Sequence, residues 1–184
     1  MTLKRRELLR TGLAVGAAAA WAPVVPAWAF ANPNVRRVSF FNVHTGEASP
    51  EIVYWENGAY APDALAAVNH ALRDWRDNQV HVIEPRLLDL LSALQGQLGT
   101  DERIRVISGY RSPQTNAMLH ARSDQVSATS LHMQGQAIDI HLPGVELTRL
   151  RDAAQSLAIG GVGYYPVSNF VHVDIGPVKQ WVGT

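Results

Sequence analysis

The sequence contains no cysteine, and this absence excludes both disulfide bonds and thiolate metal sites. Any transition-metal site must therefore use imidazole and carboxylate groups, which suit zinc or a similar divalent ion. Charged residues are also few, at 17% of the chain, whereas 47% of the residues are hydrophobic. This balance is typical of a globular protein with a core and argues against a disordered chain. At 184 residues the chain is long enough for one such domain.

A long apolar run is missing as well. The most apolar stretch, residues 13–25, is rich in alanine and glycine and falls short of the ~20 residues that a bilayer span requires. A basic segment with two adjacent arginines precedes it, and an Ala-Trp-Ala sequence ending at Ala29 follows it. This order is typical of a twin-arginine export signal. An uncleaved membrane anchor is the alternative, which the short length disfavours. We predict a signal peptide over residues 1–29 and one domain over residues 30–184.

Removal of the signal peptide would make the protein slightly acidic. The loss of four basic residues lowers Lys+Arg from 16 to 12, and the loss of Glu7 lowers Asp+Glu from 16 to 15. The resulting net charge near −3 gives no bulk electrostatic attraction to nucleic acid or to an anionic membrane. We therefore expect no nucleic-acid partner. The export signal indicates a substrate in the periplasm or cell envelope. The sequence leaves the oligomeric state open.

Hydrophobic periodicity predicts a single α+β domain, with a small antiparallel sheet and helices packed on one side. Residues 37–42 and 51–56 alternate like the strands of a β-hairpin. Helices are expected from Pro62 and from Pro85, because proline suits the first helical turn. The remaining expected elements are a strand over 103–108, a strand through Asp139, a helix over 145–157 and a last strand over 170–175.

Arg111 lies where a strand is expected to meet a helix. Ser112 is a plausible N-cap and Pro113 a plausible first helical residue, so the scaffold should hold this corner in place. A guanidinium there could bind a substrate carboxylate or a polarised carbonyl through two hydrogen bonds. The alternative is a structural arginine that fixes the loop.

His132, Asp139 and His172 provide the ligand types of a zinc site. His132 precedes a glycine turn, Asp139 lies on the strand that follows, and His172 lies on the last strand. Antiparallel pairing of the two strands would bring Asp139 within a few ångströms of His172. Two histidines and one aspartate leave a fourth position open, as in catalytic rather than structural zinc sites. Taken alone, a histidine on a strand is more often a satisfied core residue than a metal ligand.

The order of these motifs resembles the zinc peptidases of the M15 group. The pattern Ser-x-His-x-x-Gly-x-Ala-x-Asp, followed by His-x-Asp, is similar to their metal site, which the hedgehog signalling domain shares. The upstream Ser-Gly-Tyr-Arg-Ser-Pro is similar to the segment that supplies their substrate-binding arginine. Within the group the chain is most similar to the exported murein endopeptidase K branch, from Phe40 through Trp181. The resemblance implies the fold of the hedgehog domain and the D-alanyl-D-alanine peptidases.

The resemblance also implies residue roles. One zinc ion would be held by His132, Asp139 and His172, and substrate would be bound by Arg111 and, in the same segment, Gln114. The implied activity is a zinc-dependent murein endopeptidase that cuts cross-links or stem peptides of peptidoglycan. Two alternatives remain. One is a D,D- or L,D-carboxypeptidase acting on stem peptides, and the other is a zinc-containing peptidoglycan-binding module that has lost hydrolysis.

The chain departs from the family pattern at the general base. Many M15 enzymes have a glutamate three residues before the last histidine ligand, where this chain has Asn169. Others have a histidine five residues before it, where this chain has Val167. The remaining candidates are Asp174, on the strand face of His172, and His141, on the strand face of Asp139. Asp174 could instead orient a ligand imidazole.

Overall fold

The computed structural model describes residue 32, residues 34–123 and residues 125–184. The expected signal peptide, residues 1–29, lies outside the described residues. Within the described part, no helix is long and apolar enough to cross a membrane.

The described chain alternates short strands and helices. The helices are α1 (Pro62–Ala71), α2 (Pro85–Leu98), α3 (Pro113–His120) and α4 (Leu147–Leu157), with a 3-10 turn over Leu131–Gln134. The strands are β1 (Val35–Val38), β2 (Phe40–Asn42), β3 (Ile52–Glu56), β4 (Ala59–Tyr60), β5 (Ile104–Ser108), β6 (Ala137–His141), β7 (Gly161–Tyr165), β8 (Phe170–Asp174) and β9 (Lys179–Val182).

The strands form a small sheet, in the order β1-β3-β4, and a larger one, in the order β2-β5-β6-β8-β7-β9. Pairing is antiparallel in the small sheet and in the centre of the large one, while β2 with β5 and β7 with β9 pair in parallel. The α+β prediction is confirmed. The hairpin expected for residues 37–42 is found only in part, because the run divides at Ser39: Val38 pairs with β3, whereas Phe40 crosses to β5.

The central strands separate an apolar face from a polar face. In β6 and β8, Ile138, Ile140, Val171 and Val173 are at most 1% exposed and join one core cluster with the leucines of α2 and the buried residues of α4. Successive side chains in a strand point to opposite faces, so the residues between them emerge on the other face. That face carries Asp139, His172 and Asp174. The helical layer thus leaves one side of the sheet available for a site.

Candidate metal centre and substrate groove

The register of β6 against β8 places two polar side chains opposite each other. The strands are antiparallel with Asp139 facing His172, flanked by the core pair Ile138 and Val173. This is the pairing that the sequence predicts. A shift of one residue would turn the carboxylate and the imidazole into the core, so the buried apolar face fixes their position.

His132 approaches this pair from the 3-10 turn that precedes β6. The Ser130 side chain caps the turn by accepting a hydrogen bond from the His132 backbone N–H, 3.3 Å away. The turn ends at Gly135, whose φ of +65° favours glycine. A Cβ at this position would also collide with the carbonyl oxygen of Val82. The glycine of the motif therefore allows the turn to pack closely against the segment before α2.

Hydrogen bonds fix which nitrogen of each imidazole is free to bind an ion. His132 Nδ1 lies 2.8 Å from the carbonyl oxygen of Gly109. A carbonyl can only accept, so Nδ1–H donates and Nε2 keeps its lone pair. In a neutral His172, a proton on Nε2 can be donated to Asp174 Oδ2, 3.2 Å away, and Nδ1, 2.8 Å from Asp139 Oδ1, is then the ligand atom.

The three candidate ligand atoms lie close together, near the spacing of the ligands in a tetrahedral zinc site. His132 Nε2 is 3.2 Å from His172 Nδ1 and 3.3 Å from Asp139 Oδ1, and His172 Nδ1 is 2.8 Å from Asp139 Oδ1. Bond lengths of about 2.0–2.2 Å in a tetrahedral site place two ligands roughly 3.3–3.5 Å apart. Two of the three separations are within about 0.1 Å of that range. These residues can therefore hold a metal ion.

The two histidines differ in their preference for a proton. Burial lowers the pKa of His132, and the neighbouring Asp139 only partly opposes it. Burial also acts to lower the pKa of His172, but hydrogen bonds to Asp139 and Asp174 outweigh it and raise that pKa to about 9. The pKa of Asp139 is lowered, since its interactions with both imidazoles outweigh burial, which acts to raise it. Without a metal, His172 therefore favours its protonated form, in which Nδ1–H donates to Asp139 and Nε2–H donates to Asp174.

Asp174 is fully engaged within the protein. Its side chain is 2% exposed, and Oδ1 accepts hydrogen bonds of 2.8 Å from the backbone N–H groups of Gly161 and Gly176. Oδ2 faces His172 Nε2. Burial acts to raise the pKa of Asp174, but the bonds from His172 and the two N–H groups lower it. This arrangement matches a carboxylate that orients a metal-binding histidine.

Arg111 lies beside the three ligands at the corner before α3. The guanidinium is buried, with Nη2 3.6 Å from Asp139 Oδ2 and 3.4 Å from Ser108 Oγ, and Nη1 3.3 Å from Asn116 Oδ1. Ser112 caps α3 as expected, accepting from the backbone N–H of Thr115. Arg111 thus lies beside the three ligands, and its role in binding substrate stays a prediction.

A groove of about 420 Å³ opens onto the centre, and His132, Asp139, His172, Asp174 and Arg111 all line it. Its other walls include the segment before the 3-10 turn and a second group of side chains, Tyr165, Phe170, Lys179 and Trp181. None of these four residues belongs to the site that the sequence predicts. Trp181 reaches the groove because β9 pairs with β7. No local sequence pattern in residues 177–182 predicts that pairing.

Two candidates from the sequence lie outside the groove lining. His141 is at the far end of β6, opposite Arg105 on β5, and Gln114 is exposed on the first turn of α3. Neither side chain lines the groove. Asn169 occupies the turn between β7 and β8 with a φ of +56°, and it too is absent from the lining. The described groove contains no carboxylate without a partner.

Comparison with known proteins agrees with this geometry. The family model described as peptidoglycan L,D-endopeptidase MepK matches residues 30–181. The peptidoglycan L,D-endopeptidase MepK of Escherichia coli strain K12 is 46% identical over 180 residues, with 96% of each chain covered. The protein of that name from Shigella flexneri has the same identity and coverage. A probable peptidoglycan L,D-endopeptidase MepK of Haemophilus influenzae is 40% identical over 184 residues, with 98% of this chain and 96% of the relative covered.

Proposed function

The chain belongs to the peptidase M15 family, in the branch described as peptidoglycan L,D-endopeptidase MepK, and is a peptidase. From this membership and the geometry of the groove, we propose that it is a zinc-dependent endopeptidase of the cell envelope. Its substrate would be a peptide cross-link of peptidoglycan in which an L centre is joined to a D centre. The observation that carries the proposal is the convergence of three ligand atoms at the groove.

His132, Asp139 and His172 would hold one zinc ion through Nε2, a carboxylate oxygen and Nδ1. Bound zinc polarises a carbonyl group and lowers the pKa of a coordinated water toward ~7, which makes hydrolysis possible at neutral pH. The two remaining hydrogen bonds of the imidazoles, to Gly109 and Asp174, would keep both ligand atoms directed at the ion. The open side of the ligand set faces the groove, where a peptide can enter.

Arg111 would hold the substrate near the scissile bond. Its guanidinium is pinned by Ser108 and Asn116, so it can bind a substrate carboxylate or carbonyl without a large loss of side-chain entropy. The same charge favours the negative oxygen that develops in the transition state. Asp174 would act as a positioning residue rather than as the general base, because both of its oxygens already accept hydrogen bonds.

Digestion of defined muropeptide dimers tests the proposal. Purified protein with zinc should convert an L,D-cross-linked dimer into two monomers, detected by mass spectrometry. Chelation should stop the reaction and zinc should restore it. Release of a terminal D-alanine alone would instead identify a carboxypeptidase. Binding of muropeptides and zinc with no cleavage would identify a binding module and refute the proposal. His132→Ala should lose zinc and activity together, whereas Gln114→Ala should keep both.

We further propose that residues 1–29 export the protein to the periplasm by the twin-arginine route. The adjacent arginines and the Ala-Trp-Ala sequence support this assignment. The double substitution Arg5→Lys and Arg6→Lys keeps the positive charge but removes the arginine pair, and it should retain the precursor in the cytoplasm. N-terminal sequencing of the exported wild type should begin at Phe30. Export of the double variant at the normal rate would contradict the route.

A further inference from the structure

The groove has a cation that the proposed mechanism does not use. Lys179 lies at the start of β9 and lines the groove. The strand order is β5-β6-β8-β7-β9, so β9 and β5, the strand that leads to Arg111, lie on opposite sides of the strands that carry Asp139 and His172. A substrate crossing the metal centre can therefore meet Arg111 on one side and Lys179 on the other.

Trp181 provides a rigid support for Lys179. The indole Nε1–H donates a 2.9 Å hydrogen bond to the Tyr165 hydroxyl, and the ring lies against Gly163, where a Cβ would come within 2.6 Å of it. The Trp181 ring centroid is 5.2 Å from that of His172. The indole is thus fixed between the metal centre and the outer part of the groove.

The Lys179 ammonium lies 5.1 Å from the centroid of the Trp181 ring. The two distances together place it within about 10 Å of the His172 ring. At ~3.3–3.6 Å per extended residue, that separation is no more than about three residues of a peptide. A group on the residue next to the scissile bond, or on its side chain, is within reach of this ammonium.

Lys179 also lacks a counter-ion in the described part of the chain. No described carboxylate lies within 4.0 Å of its ammonium, whereas both acidic residues of the groove, Asp139 and Asp174, contact His172. With neutral imidazoles and one zinc ion, the charges of Arg111, Lys179, the ion and the two carboxylates would sum to +2. A groove with this charge in a slightly acidic protein favours an anionic segment of substrate.

We propose that Lys179, supported by Trp181, binds a second carboxylate of the substrate, on the side of the scissile bond opposite Arg111. This inference rests on the proposed peptidoglycan endopeptidase function. The ligand is a carboxylate carried by the side chain of a diamino-dicarboxylic acid in the stem peptide. Recognition of one carboxylate on each side of the bond would select an internal cross-link over a free peptide end.

A comparison of two substrates and three variants tests the subsite. The substrates are synthetic cross-linked dimers that differ only in the side-chain carboxylate, which is free in one and a carboxamide in the other. The variants are Lys179→Gln, Lys179→Arg and, as a matched loss of charge outside the groove, Arg103→Gln. Cleavage is followed at several salt concentrations, because an exposed ion pair weakens as salt rises.

Lys179→Gln should lower kcat/KM about 5-fold on the carboxylate substrate, mainly through KM, a size typical of a partly exposed ion pair. On the carboxamide substrate the change should be less than about 2-fold. Lys179→Arg should keep most of the wild-type preference, and Arg103→Gln all of it. Equal losses on both substrates would show a structural role and overturn the proposal. An unchanged preference of Lys179→Gln for the carboxylate over the carboxamide substrate would also overturn the proposal. Lys179 would then be an ordinary edge-strand lysine.

Binding separates failure of the subsite from failure of the proposed function. If the wild type cleaved neither dimer, the endopeptidase proposal would fail. Calorimetric titration with the same two dimers would still decide the subsite. A wild-type preference for the carboxylate dimer that disappears in Lys179→Gln would support it, and equal affinities of the wild type for both dimers would overturn it.

Discussion

Replacement of Asp174 by asparagine distinguishes a positioning residue from a general base. The carboxylate accepts from Gly161 and Gly176 through Oδ1 and from His172 Nε2–H through Oδ2. An asparagine can keep the two backbone bonds through its oxygen, which directs its NH₂ group at His172. Two donors would then face each other. His172 relieves the conflict by moving its proton to Nδ1, the nitrogen that should bind the ion.

The expected loss is therefore in metal affinity. Removal of a carboxylate that orients a metal-binding histidine typically costs 10–100-fold in affinity or activity, or roughly 1.4–2.7 kcal/mol. Removal of a general base would leave zinc affinity unchanged and lower kcat by about 10²–10⁴-fold at any zinc concentration. The two roles thus differ in the quantity that changes and in whether excess zinc compensates.

The assay combines zinc titration with turnover. Zinc affinity is measured by competition with a chromophoric chelator, and muropeptide cleavage is measured across a range of free zinc. Asp174→Asn should bind zinc more weakly and recover most of its activity at saturating zinc. Asp152→Asn, the same change at an exposed carboxylate outside the groove, should match the wild type. Wild-type zinc affinity together with an unrecoverable loss of kcat in Asp174→Asn would refute the positioning role.

Three further substitutions test how the groove is built. Asp74→Asn should destabilise the fold by about 1–3 kcal/mol in denaturant titrations, because this buried carboxylate accepts from the Ser112 backbone N–H at the corner that holds Arg111. Wild-type stability would contradict this. Gly163→Ala should raise KM while zinc content stays normal, because the new Cβ displaces the Trp181 ring; an unchanged KM would show that the ring adapts. His141→Asn should retain wild-type kcat, since His141 does not line the groove; a large loss of kcat would restore it as a candidate base.

The central strands could be predicted from the sequence because their residues alternate between apolar and polar, and this alternation identifies the face that is buried. In β6 and β8 apolar and polar residues alternate, and the apolar set fixes which side faces the core and excludes a one-residue shift of the register. β9 offered no such pattern, since Lys179–Val182 is largely exposed and its parallel pairing with β7 depends on the path of the intervening chain. The division of residues 37–42 at Ser39 into two strands could not be predicted for a related reason. Residues on both sides of Ser39 suit strands, and only tertiary packing assigns them to different sheets.

The candidate site was likewise predicted only in part from the sequence. The motif spacing identified three residues whose ligand atoms the structure brings within 3.3 Å of one another. Alternation also placed His141 on the face of Asp139, but a residue two positions along a strand is ~6.8 Å away. Alternation along a strand therefore predicts the face of the sheet on which a residue lies. It does not predict whether the residue lies at the end of the strand where the groove opens. The Gly109 carbonyl that fixes the His132 tautomer could not be identified, because it lies 23 residues away along the chain.

The proton on His172 makes a final prediction about the metal-free protein. Its pKa of about 9 lies above the ~6.5 of an unfolded chain, so this protonation stabilises the metal-free fold fully below pH ~6.5. The contribution is lost as pH rises through about 9. Zinc must displace the same proton, so zinc affinity should rise with pH up to about 9 and then level off. We expect chelated protein to stay folded at pH ~6, because the apolar core cluster does not include the three ligand residues, and to melt at a lower temperature at pH ~9.5 than at pH ~6. Zinc-loaded protein should not show this decrease. Scanning calorimetry of both forms measures this difference. If the melting temperature changed equally between the two pH values in the metal-free and the zinc-loaded protein, His172 would not carry the proton.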